Sequence, residues 1–176
     1  MSRFRRLVVS SAVALSAFAA TPAISEAASC KGADSEATAS KTSARATLCL
    51  LNAERRAKGL RPLKLDTKLT RAAIGHSRDM VSHRYFAHES RNGADFDDRI
   101  KRTGWTKSRR SYTMGENIAW GGGHLSTPRS IVRGWMNSAG HKANILARDF
   151  RYIGIGIANG APTGGSGATY TTTFGG

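Results

Sequence analysis

At 176 residues, with 27 Lys and Arg against 12 Asp and Glu, the chain carries a formal charge of +15. The basic residues are scattered and no nucleic-acid motif accompanies them, which points away from nucleic acid and toward an anionic envelope, wall polymer or lipid headgroup as partner. Only two cysteines are present, too few and too far apart for a structural zinc site built on paired thiolates.

Arg3, Arg5 and Arg6 precede an apolar run from Leu7 to Ala20, and Ser25-Glu26-Ala27 places small residues where a signal peptidase reads them. Residues 1–27 are therefore expected to be a signal peptide, and the mature chain, starting near Ala28, to be secreted. The run is shorter than the about twenty apolar residues a membrane span needs, and Thr21-Pro22 closes it. The leader removes three Arg and one Glu, leaving +13 on about 149 residues, enough for one domain with one core. In an oxidising compartment Cys30 and Cys49 are expected to pair. Closing that loop of about nineteen residues contributes roughly 3 kcal/mol.

Residues 28–43, with a Ser/Ala/Thr-rich stretch from Lys31 to Lys41 that lacks periodicity, read as a linker ahead of a domain over 44–176. From Ala44 the spacing of Leu48 and Leu51 predicts a helix, with Glu54, Arg55 and Arg56 on its polar side and Gly59 just past its end. Pro62 begins a short extended link. Asp66 caps a second helix running to about Ser82, along which Leu69, Ala72, Ala73, Met80 and Val81 form an apolar stripe. A third covers Asp95 to Arg102 and ends at Gly104. Tyr112 to Trp120 reads as extended. Thr127 and Pro128 open a fourth helix that buries Ile131, Val132, Trp135 and Met136. Two terminal strands, Tyr152–Ala158 and Ala168–Phe174, form a hairpin. Helices early and antiparallel strands late make an α+β domain.

The chemistry concentrates in Gly115-Glu116-Asn117 and Ser138-Ala139-Gly140-His141, where glycine lets backbone or ligand approach closely, and in Tyr85-Phe86-Ala87-His88 upstream. His88, Glu116 and His141 are the candidate trio, with Ser138 and Asn144 as further cleft residues. Two imidazoles and a carboxylate suffice for Zn²⁺ with one open position. The same groups can act as an acid/base pair or satisfy one another in a buried polar network. No His-Glu-x-x-His helix and no Gly-x-Ser-x-Gly elbow occur, and Ser138 has a base in His141 but no third member. His76 reads as a core or rim residue of the second helix, and His83 and His124 as solvated. Trp105 and Trp135 read as core, whereas Trp120, next to three glycines, is a candidate for the cleft rim.

Leu51-Asn52-Ala53-Glu54-Arg55, Gly59-Leu60-Arg61-Pro62-Leu63, His76-Ser77-Arg78-Asp79-Met80, Tyr85-Phe86-Ala87-His88, Gly115-Glu116-Asn117-Ile118-Ala119, the block from Trp135 to Leu146 and Gly154-Ile155-Gly156 follow one another in order. From Leu48 to Phe174 the chain thereby resembles the bacterial branch of the CAP superfamily, the SCP-like extracellular proteins related to cysteine-rich secretory, antigen 5 and plant pathogenesis-related proteins. The resemblance implies an α-β-α sandwich with a central antiparallel sheet and a cleft on one side. It implies that His88 and Glu116 fill two of four His/Glu cleft positions of the eukaryotic branch, the other two falling near Ser138 and Thr169, with His141 as a replacement imidazole. The function expected is that of a secreted, non-catalytic binding module, taking a lipid, an envelope fragment or a protein partner in the cleft and on the basic surface. The alternative is a zinc-dependent hydrolase or protease acting on peptide or envelope ester.

Overall fold

The computed structural model describes residues 30–176, and the expected signal peptide lies outside them. The first four α-helices each begin at a residue whose side chain takes up a free backbone N–H. Helix α1 (Lys41–Arg56) starts after Ser40, whose hydroxyl accepts from the Ser43 amide. It closes through Leu60 N–H to Arg55 C=O and Gly59 N–H to Arg56 C=O, with Gly59 at φ +65°, a reversal that a residue without Cβ makes readily. The extended link after Pro62 contains strand β1 (Lys64–Leu65). Asp66 caps α2 (Thr67–Ser82) by accepting from the Lys68 and Leu69 amides, and Asp95 with Asp98 forms a capping box on α3 (Phe96–Arg102). Strand β2 (Met114–Gly121) leads through a 3₁₀ turn at Gly123–Ser126 to α4 (Pro128–Met136) and α5 (Ala139–Leu146). Strands β3 (Tyr152–Asn159) and β4 (Ala168–Gly175) form the expected hairpin.

The strand order is β1-β3-β4-β2, antiparallel except for the β1–β3 pair at one edge, which is parallel. Alternation along β3 assigns its two faces. Ile153, Ile155 and Ile157 enter the main core with Leu50, Leu51, Val132 and Trp135 from the α1, α4 and α5 layer. Gly154 and Gly156 face the other way, beneath α2. A Cβ on either would stand 2.1 and 2.2 Å from the backbone of Leu69 and Ala73, so α2 lies directly on the strand because neither residue has one. The result is an α-β-α sandwich, and no described helix is long and apolar enough to cross a membrane.

Two expectations change. Arg55, assigned to the polar side of the first helix, is fully buried, and its guanidinium donates to the carbonyls of Arg61, Ile145, Ala147 and Phe150. Together with Asn52, which bonds both backbone groups of Leu63, it fastens the loops after α1 and α5 to the core. The segment read as a linker has no helix or strand before Lys41, yet Cys30, Ala33 and Ala37 are buried in the core, and Asp34 pairs with Arg129. The expected Cys30–Cys49 disulfide is present and ties this segment to α1.

Candidate functional site

Adjacent residues of β2 point to opposite faces of the sheet, so Glu116 and Asn117 organise the two sides of its edge. Asn117 faces α5: its amide donates to the His141 carbonyl at 3.0 Å and its oxygen accepts from Asn144 at 2.9 Å. Asn144 donates in turn to the Glu116 carbonyl at 3.2 Å. Asn144, expected to face a ligand, thus serves to fix α5 on β2 and thereby to place His141. Nor does a Cβ fit at the neighbouring Gly115, since it would meet Phe150 at 2.9 Å and Asn144 at 3.2 Å.

Glu116 faces α2 and α3, and its side chain is 1% exposed. Arg99 of α3 grips both carboxylate oxygens at 2.9 and 2.8 Å, and its other arm donates to Ser90 Oγ and the Ala94 carbonyl. His88 Nδ1 donates to Glu116 Oε1 at 2.9 Å, with half of the imidazole in solvent. Behind them His76 is buried, bonds the Ala87 carbonyl through Nε2, and stands 3.9 Å from Glu116. Burial holds His76 below its ordinary pKa against the opposing pull of Glu116, so the neutral ring is favoured. Its Nδ1 has no partner among the described residues. Tyr85 donates its hydroxyl to Asp79, and burial together with that bond pushes its pKa up to about 12. The chain enters this segment through Arg84, the one described residue other than glycine in the left-handed region, at φ 52°.

His88 and His141 approach the β2 edge from opposite faces. They are close enough that His88 adds to the effect of burial in lowering the His141 pKa. Beside His141 a groove of about 420 Å³ runs along the edge, lined by Phe86, Trp120, Leu125 and Ser138 as well. Phe86, Trp120 and Leu125 are exposed large apolar side chains, while Trp105 and Trp135 are buried. Trp120 therefore sits at the rim as expected. Thr169 is buried, and its hydroxyl donates to the Gly160 carbonyl.

The zinc trio is not assembled. Glu116 is already held by a permanent cation and an imidazole, and among the described residues no group of three His, Cys, Asp or Glu is arranged to hold a metal. The residues present do not fit a three-ligand centre, and the carboxylate-imidazole network is the part of the expectation they do build. Arg99, which holds Glu116, is the residue of this network that the sequence reading missed. A signal for it existed in Ile100, whose burial turns that side of the short third helix inward, toward a carboxylate that needed a cation.

With this arrangement in view, the family model for the cysteine-rich secretory protein family, CAP, matches residues 48–174. The chain belongs to this family. It is 39% identical over 125 residues to the uncharacterised protein YkwD of Bacillus subtilis, covering 71% of this chain and 44% of YkwD. It is 34% identical over 116 residues to the uncharacterised membrane protein YlbC of the same organism, covering 66% and 32%. This CAP chain thus spans less than half the length of either relative. An extracellular SCP-domain protein from Bacillus anthracis superposes with a TM-score of 0.60 at 32% identity, over 73% of this chain and 38% of that one. An outer surface protein of Borrelia burgdorferi superposes at 0.62 with 20% identity, over 77% and 92%, a likeness of fold.

Proposed function

We propose that the protein is a secreted binding module that takes a lipid, an envelope fragment or a protein partner in the groove at the β2 edge without converting it chemically. The state of Glu116 carries this reading. A carboxylate clamped by Arg99 and bonded by His88 is committed to that network, and it serves poorly as a general base or a metal ligand. What remains open to a ligand in the groove is apolar surface on Phe86, Trp120 and Leu125, with His141 and Ser138 as polar contacts, the mixture expected of a recognition groove. The basic surface adds attraction to anionic envelope material, screened beyond about 8 Å at physiological salt. Secretion is supported by the intact disulfide and by the extracellular B. anthracis relative.

Trp120 makes the test direct, because it is 41% exposed while Trp105 and Trp135 are 0% and 2%. Titration with phosphatidylglycerol vesicles, soluble muropeptides or acidic peptides is expected to shift the emission of Trp120 with at least one class and to leave the Trp120→Ala variant unresponsive. Turnover of an ester or peptide substrate that disappears in His141→Ala and Ser138→Ala would refute a non-catalytic role.

A further inference from the structure

The edge of the sheet opposite the cleft is unfinished. β1 pairs only with Tyr152 and Ile153, so among the described residues β3 continues over 154–159 with no strand on that side. β1 cannot follow it, because Asp66 caps α2 and its carbonyl accepts from Thr70. Backbone groups facing one edge of a strand recur at every second residue. The Ile153 carbonyl accepts from the Asp66 amide, and Ile155 presents its own N–H and C=O in the same direction. No turn, loop or side-chain hydrogen bond reaches Ile155 among the described residues. At the far end Ala39 N–H donates to Asn159 Oδ1 and closes the slot. About four residues, or about 13 Å, of edge lie between.

At Ile155 this edge reaches a groove of about 650 Å³ between the start of α1 and the outer flank of α2. Leu65, Ile74 and Ile155 give it apolar walls. Lys41, Arg45, Arg71 and Arg78 surround it, against the single acid Asp66, whose carboxylate is engaged in capping α2. Gly75 lines the groove as well. A glycine inside a helix costs about 0.5–1 kcal/mol relative to alanine. Gly154 and Gly156 are required by packing, but a Cβ on Gly75 would meet nothing within 4 Å. Packing does not explain this glycine, and its missing side chain keeps the groove clear.

We infer that this groove is a second binding site, which takes an extended, acidic segment of a partner protein as an added strand beside β3. An open edge is a template for pairing with another chain. In strand addition the main chain supplies hydrogen bonds while alternate side chains read the surroundings. Here the segment's backbone pairs with Ile155, one set of its side chains meets the apolar walls, and acidic ones meet the four cations. An acyl chain would satisfy the walls and leave the strand edge unpaired. The site is separated from the β2 cleft by the width of the sheet and stands whether or not that cleft binds anything.

The experiment uses ¹⁵N-labelled, disulfide-bonded mature protein and two capped peptides, one alternating Val with Glu and the other Val with Lys. The acidic peptide is expected to shift the Ile155 amide resonance and slow its hydrogen exchange, with the Lys peptide bound at least about tenfold more weakly. Gly75→Phe fills the groove from a position with open space. It should keep the melting temperature of the wild type and lose at least about tenfold in affinity. Gly75→Ala, a control for helix propensity, should be as stable as wild type or more so. An unperturbed Ile155 amide at saturating peptide, equal affinity in Gly75→Phe, or a response to phosphatidylglycerol vesicles in place of the acidic peptide would overturn the inference.

Discussion

Replacing Arg99 with Met tests the ion pair that shapes the cleft. Arg99 and Glu116 side chains are 8% and 1% exposed, so the substitution strands a buried carboxylate with His88 as its remaining partner. It also removes the bonds to Ser90 and Ala94 that hold the loop before α3. Breaking one side of a buried pair costs about 3–5 kcal/mol, because the uncompensated charge remains. At the size of this domain that is a fall of about 10 °C in melting temperature. Thermal and guanidinium melts of Arg99→Met, Glu116→Leu and the double variant form the assay. The double variant should recover most of the loss, with a coupling energy of about 2 kcal/mol or more. If Arg99→Met alone costs less than about 1 kcal/mol, the value of an exposed pair, the guanidinium clamp is not what holds Glu116.

His76 and His141 both have folded pKa values below the ordinary 6.5, chiefly through burial. The unfolded chain takes up protons first on acidification, so stability should decline as the pH drops through 6.5 and level off only below the folded values; melts showing no decline between about pH 7.5 and about pH 5.5 would contradict this. Gly156→Ala places a Cβ 2.2 Å from the Ala73 backbone and should cost about 3 kcal/mol. The same change at Gly75, where there is room, should stabilise by about 0.5–1 kcal/mol, so denaturant midpoints that move in the same direction would refute the packing account. Replacing Cys30 and Cys49 together by Ser opens a disulfide loop of separation 19 and should cost about 3 kcal/mol in guanidinium melts.

Caps and periodicity made most of the elements readable from sequence. Asp66, Asp95 and Thr127 mark the starts of α2, α3 and α4 where expected, and the alternation of Ile with Gly from 153 to 157 identifies β3. Strand β1 escaped because two residues carry no period. Arg55 escaped for a different reason: a charged residue on a helix is assigned to solvent unless its partners are known, and they are carbonyls as many as 95 residues away. The cleft was legible in its residues but not in its wiring. Glycine beside Glu116 and His141 announced close approach. That Glu116 would turn to Arg99, and Asn144 to the β2 backbone, depends on which face of β2 each neighbour occupies, and register across the sheet decides that.

Whether Arg99 keeps Glu116 from serving a metal is decided by calorimetric titration of Zn²⁺ into the mature wild-type protein and into His88→Ala, His141→Ala at neutral pH. The wild type is expected to give no stoichiometric heat, and the two proteins should not differ. One zinc bound per chain in the wild type, with that site lost in the double variant, would contradict this, because the carboxylate would then have left its guanidinium to serve a metal.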